Sequence, residues 1–286
     1  MNKVLKDNIL QFLNNPNPIW ETELTKDLVN AELAYLSQFE LDLTNYSTQR
    51  SYFKKNIKIE EKPILISGIS SSDSIYLEYP QVPFFNFFYE EHGLEPENKS
   101  EIDDCTFQKL KKALDVFKQI PGANICISSL VKRIQVLKQF DDEIDTSYSH
   151  PLIPFSIFIS LCTDSSTTSS LRVAESILHE AMHLKLTLIE KHIDLIKPDT
   201  LEKFYSPWRD EQRPLRGVLH GLFVFKSVFE MYKFLCNNSK DYKNTDHIYY
   251  RMEDITEEFR TIKNLALNNG FTEAGANFVN NLLPSS

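Results

Sequence analysis

Glycine is the residue that most narrows what this chain can become. There are 7 in 286 residues, and no two of them are separated by a single residue. A dinucleotide-binding G-x-G-x-x-G turn and a phosphate-cradling P-loop both need clustered glycines, so both are excluded. The remaining composition is that of an ordinary globular chain, with 42% hydrophobic and 25% charged residues. Asp and Glu number 40 against 31 Lys and Arg, a formal charge of -9. A chain of that sign has no overall attraction for phosphate backbones, which argues against a nucleic-acid partner.

Cys105, Cys126, Cys162 and Cys236 are widely spaced and form no C-x-x-C pair, so they fit neither a disulfide scaffold nor a zinc ribbon. Reduced thiols in a cytosol are the expectation. The start of the chain has no apolar run of signal-peptide length. The longest apolar stretch, Leu152 to Cys162, reaches about half a bilayer span and contains Pro154. The expected protein is cytoplasmic, with no membrane partner.

Helical spacing of apolar residues predicts a helix over Val4–Leu13, stopped by Asn14-Asn15-Pro16-Asn17-Pro18, and a second over Glu21–Leu43. Pro63–Ser67 and Ser74–Tyr79 read as short strands bounded by Gly68 and Pro80. The aromatic cluster Phe84, Phe85, Phe87, Phe88 and Tyr89 reads as core or lid. Cys105–Ile120 is periodic as a helix. Ser129–Phe140 and Pro154–Cys162 read as a pair of strands around the acidic loop Asp141-Asp142-Glu143. Four further helical runs cover Ser169–Ile196, Pro214–Cys236, Thr245–Asn268 and Thr272–Leu283, with Gly270 as a C-terminal stop. The expected fold is therefore α+β and mostly helical, with a small antiparallel sheet beside one long helix and further C-terminal helices. A division into residues 1–100, a helical and strand region suited to peptide binding, and residues 101–286, a metal-binding catalytic region, is weakly marked, and one continuous domain is the alternative.

The run Leu178-His179-Glu180-Ala181-Met182-His183-Leu184 carries chemistry. Residues four apart on a helix are about 40° apart around its axis, so His179 and His183 reach one metal ion. Glu180 lies about 100° from His179, beside the same site. The apolar flanks Ile177, Leu178, Met182 and Leu184 distinguish this helix from one with two solvated histidines. The third ligand is not given by the metzincin pattern, because Leu186 and Ile189 stand where Gly and His are required. His192 lies half a revolution from His183 if the helix is continuous. Glu190, Glu202 and Glu211 sit in no recognisable context. His220 is a better candidate, following Pro214 at a helix start, with Gly217 and Gly221 beside it to let another helix approach and Arg216 one turn earlier.

The tract from His179-Glu180 through Tyr205-Ser206-Pro207-Trp208-Arg209 to Arg213-Pro214-Leu215 and Gly217-Val218-Leu219-His220-Gly221 resembles the HExxH-type, 2-oxoglutarate-dependent peptide β-hydroxylases that modify ribosomally made peptides. The resemblance covers Ser156 to Phe225, a quarter of the chain. It implies Fe(II) on His179, His183 and His220, and 2-oxoglutarate held by arginines drawn from Arg209, Arg213 and Arg216. It also implies Glu180 in a catalytic role, Tyr205 and Trp208 beside the substrate or the ligands, O2 as co-substrate and a precursor peptide as substrate. Chemistry is compatible with that assignment, since a non-haem iron centre needs three protein ligands and three open positions. A dicarboxylic cosubstrate suits a planar cationic fork. Three histidines depart from the commoner two-His-one-carboxylate set, which keeps Glu180 as a fallback ligand. Two other readings stand beside this one. The first is a zinc endopeptidase with Glu180 as general base. The second is a non-catalytic peptide-binding module, whose strands near Ile64 and Tyr76 pair with an extended leader peptide.

Overall fold

The computed structural model describes residues 3–15, 19–38, 64–68, 74–79, 86–151, 153–164, 166–243 and 245–284. In chain order its elements are α1 (Lys3–Leu13), α2 (Thr22–Leu36), β1 (Ile64–Ser67), β2 (Ile75–Leu77), α3 (Asn86–His92), α4 (Asp104–Lys118), α5 (Ala123–Leu130), β3 (Arg133–Leu137), β4 (Ser147–Ser149) and β5 (Ser156–Ser160). There follow α6 (Thr167–Glu190), β6 (Lys203–Ser206), β7 (Glu211–Pro214), α7 (Leu215–Asn238), α8 (Asp246–Thr261) and α9 (Glu273–Leu282). The fold is mostly helical α+β, as the periodicity predicts. Of the expected aromatic cluster, Phe84 and Phe85 lie outside the described residues, while Phe88 and Tyr89 are buried with Leu94, Leu137, Ile153 and Phe158. Residues 39–43 of the expected second helix also lie outside them. Among the described residues no helix is long and apolar enough to cross a membrane. All four cysteines are free thiols.

The described chain forms two compact units, and neither is bounded at residue 100. One comprises Met1–Leu28 with Lys185–Ser286, the other Val29–Leu184. The reason in the first unit is an apolar face shared by the two ends of the chain. Phe12 of α1, Phe223 of α7 and Phe278 of α9 meet with ring centroids 5.6 to 6.3 Å apart. Lys185, fully buried, donates to the Ile19 carbonyl at 2.9 Å and lies over the Phe12 ring. A buried ammonium is tolerated where a carbonyl and an aromatic face replace its water.

The second unit is built on a five-stranded sheet of order β1-β2-β3-β5-β4. Its outer pairs are antiparallel, but β2–β3 and β3–β5 run parallel, so the sheet is mixed rather than antiparallel. The acidic loop after β3 leads into β4, which takes the antiparallel place beside β5. Residues 138–155 thereby form the long connection that a parallel β3–β5 pair requires. Every residue of β5, Ser-Ile-Phe-Ile-Ser, is buried, the pattern of a strand covered on both faces rather than one. The stretch before β3 is helical through Leu130, not strand, and Val131's N–H closes that helix on Ile127. Because β2 is hydrogen-bonded on both sides, Tyr76 offers no edge to a peptide; among the described residues the sheet's edges are β1 and β4.

Several expected helix boundaries move: α2 ends at Leu36, short of the expected Leu43, and α8 ends at Thr261 rather than Asn268. The motif helix ends at Glu190 rather than Ile196, and the His192 N–H closes its last turn on the Ile189 carbonyl. Gly270 is not a helix stop but a close-approach site, since a Cβ there would come within 2.8 Å of Thr200 and Leu215 side chains.

Candidate metal centre

The histidines of the motif converge in the second unit as their spacing requires. On α6 the Nε2 atoms of His179 and His183 stand 3.1 Å apart, both rings half-buried. That is the separation of two adjacent ligand atoms on one ion with metal–nitrogen bonds of about 2.1 Å. The donor pair therefore fits a divalent transition metal, and imidazole suits iron and zinc alike.

Glu180 is turned onto the sheet. It is 3% exposed, and its two oxygens accept separate hydroxyls, Ser147 Oγ on Oε1 at 2.6 Å and Ser149 Oγ on Oε2 at 2.5 Å. Alternate residues of a strand share a side, so the Ser-Tyr-Ser of β4 presents two hydroxyls to one carboxylate. The strand's entry is fixed on the same helix by Arg172, whose Nε and an Nη hold Asp145 at 2.8 and 2.9 Å while that Nη also reaches the Asp142 carbonyl at 2.7 Å. Neither the serines nor this bidentate pair was identified from sequence.

His220 belongs to the first unit and is buried in α7. Its Nε2 lies 3.0 Å from Glu190 Oε2, which also accepts from Arg216 Nε at 2.9 Å and from an Arg216 Nη at 2.7 Å. Glu190, which no motif marks, is thus the carboxylate that orients His220 and Arg216. Burial, its largest influence, pushes the Glu190 carboxyl up, but His220 and Arg216 outweigh it and hold it below the usual carboxylate range. Burial also holds His220 below the ordinary imidazole range, against the pull of Glu190. His220 is therefore a neutral donor to a carboxylate near neutral pH.

The linkage follows in sign. A histidine whose folded value is depressed stabilises the fold above its unfolded pKa of about 6.5, and that contribution falls away as pH drops below it. The depressed Glu190 adds a second loss beginning below about 4.5. A thermal melt followed from pH 8 to 5 should lose stability below about 6.5, and His220→Gln should shrink that loss, leaving the part due to His150, which burial also holds below the ordinary imidazole range. A melt flat across this range in the wild-type protein would show that His220 is not buried neutral.

The Ser206-Pro207-Trp208-Arg209 motif is a β-turn. Arg209 N–H bonds to the Ser206 carbonyl at 3.2 Å, and Asp210 follows with φ 48° to close the β6–β7 hairpin. Proline at the second position is what such a turn favours. Tyr205 donates its hydroxyl to Asp210 at 2.9 Å, which pushes the phenol above its ordinary range. Trp208 stacks on Phe225 at 5.3 Å, and its buried Nε1–H has no acceptor among the described residues. Gly221 is small for Trp208, not for a second helix, because a Cβ there would lie 2.4 Å from the indole. At Gly217 the nearest atoms a Cβ would meet belong to Arg213, at an ordinary 3.6 Å. Gly221→Ala should therefore destabilise by about 1–3 kcal/mol through overpacking. Gly217→Ala should be neutral or stabilising by up to about 1 kcal/mol. Urea midpoints of the two variants test the contrast, and equal midpoints would refute it.

The three arginines differ. Arg216 is committed to Glu190, and Arg213 lies 3.5 Å from Glu211. Arg209 is exposed, with no ion pair among the described residues. Among those residues no group of three or more His, Cys, Asp or Glu is arranged to hold a metal ion. Of the three expected ligands the structure brings His179 and His183 together and records His220 on Glu190. Compared with known protein families and with curated proteins, the chain matches none.

Proposed function

We propose that the protein is a non-haem Fe(II), 2-oxoglutarate-dependent oxygenase that hydroxylates a β-carbon in a ribosomally made peptide. Support comes from the resemblance of the tract from His179 to Gly221 and from the His179–His183 pair, whose nitrogens stand at the spacing of two ligands on one ion. His179 and His183 hold the iron, with His220 the third ligand that the resemblance implies. When bound, the metal supplies the coupled oxidation in which 2-oxoglutarate and O2 become succinate and carbon dioxide and a C–H bond becomes C–OH.

The chain's own residues bind and orient. Glu190 fixes His220 in position. Arg216 is spoken for by that same carboxylate, so the distal carboxylate of the cosubstrate falls to Arg209 or Arg213. Either supplies a charge-assisted, bidentate fork. The Trp208 indole N–H, buried without an acceptor among the described residues, is a further donor for a bound carboxylate or peptide carbonyl.

The observation that favours this reading over a zinc peptidase is the state of Glu180. A peptidase needs that carboxylate to take a proton from water at the metal. Here each of its oxygens already accepts a serine hydroxyl. The deciding experiment is to purify the protein anaerobically, add Fe(II), 2-oxoglutarate and air, and measure succinate. Succinate formation in excess of a metal-free control is the expected result. Peptide cleavage in zinc buffer, with no succinate under any condition, would sink the oxygenase reading.

A further inference from the structure

We infer that Ser147 and Ser149 are positioning residues that hold Glu180 against β4 and keep it out of the ligand set of the His179–His183 pair; the inference rests on the metal centre proposed above. Both hydroxyl contacts are short, at 2.6 and 2.5 Å. They go to different oxygens, so they fix the orientation of the carboxylate plane as well as its place. At 3% exposure, Glu180 has little access to water that could replace them.

The strand decides this geometry. Tyr148, between the two serines, turns the other way, with its hydroxyl 3.1 Å from His92 Nδ1. A one-residue slip of β4 would bring Tyr148 to Glu180 and carry both serines away. That slip is opposed by pairing of Ser147 with Ile159, Tyr148 with Phe158 and Ser149 with Ile157, and by the Arg172–Asp145 pair just upstream. Register, ion pair and hydroxyls thus act together on one carboxylate, next in sequence to a histidine ligand. Without the hydroxyls, the side chain is free to turn toward the ring nitrogens and add a charged oxygen to the metal.

Cobalt(II) is the probe, because its visible absorption reports the number and kind of its ligands independently of turnover. In S147A/S149A the Co(II) spectrum should change, and succinate formation with Fe(II) should fall about tenfold or more, the usual cost of removing a partner that orients a metal site. In S147T/S149T, which keeps both hydroxyls, the wild-type Co(II) spectrum should persist. Adding Glu180→Gln to the double alanine variant should restore it, since the intruding carboxylate is gone; a loss of packing would not be repaired this way. The single variants Ser147→Ala and Ser149→Ala carry the same comparison should the pair fail to fold. A wild-type spectrum in the alanine variants overturns the inference. So does a change that survives in the triple variant, or a wild-type protein that takes up no Co(II). A wild-type protein that binds Co(II) yet never forms succinate overturns the oxygenase reading alone.

Discussion

His183→Ala should reduce bound Fe(II) or Co(II) to background and abolish succinate formation, with far-UV circular dichroism unchanged. The ring is half-buried at the surface of a helix whose packing is carried by other residues. Leu178, Ala181, Met182 and Leu186 are fully buried on α6. Alanine also has the highest helix propensity, so the backbone loses nothing. What is removed is one of two nitrogens held 3.1 Å apart. A single imidazole retains no chelate, and affinity falls by far more than the 10–100-fold expected for an orienting partner. His179→Ala should behave alike. Elemental analysis of both purified variants checks the result, and a full complement of metal in either would remove the HExxH pair from the site.

The sequence was most informative where structure is local. α6 has helical periodicity over more than six turns, and an i, i+4 histidine pair on it has only one geometry available. The fold class followed from the same signal. The sheet's direction did not, because strand pairing is nonlocal. A short apolar run such as Ser156–Ser160 looks the same whether its neighbour runs with it or against it. The serines were hidden for a related reason. Ser147 and Ser149 lie 33 and 31 residues before the carboxylate they hold, and a three-residue strand is too short to show its alternation. Glu190 was visible as an acid but not as a partner, since Arg216 and His220 lie 26 and 30 residues further on. The Ser-Pro-Trp-Arg motif was legible as a resemblance; that it is a turn, and that Gly221 is small for its tryptophan, needed coordinates.

The remaining prediction separates His220 from His192. Both are histidines downstream of the motif. α6 stops at Glu190, so His192 belongs to the turn that closes the helix, where its backbone N–H bonds to Ile189. His220 is 6% exposed and paired through Nε2 with a carboxylate. Metal-binding histidines almost always donate their other ring N–H to such a partner, which fixes the tautomer and raises the basicity of the ligating nitrogen. His220→Ala should therefore lose most of the bound metal and all product, whereas His192→Ala should keep both. Removing His220 also strips Glu190 of one of its two partners, at a cost to stability of about 1–3 kcal/mol. An unfolding free energy from urea that falls by this amount, together with metal loss well below the unfolding transition, separates a ligand from a packed core histidine. His220→Gln, which returns a hydrogen-bond donor to Glu190, should recover most of the stability and none of the metal. If His220→Ala keeps its metal while His192→Ala loses it, the third ligand lies in the turn after α6, and the Arg213–Gly221 tract has no part in the centre.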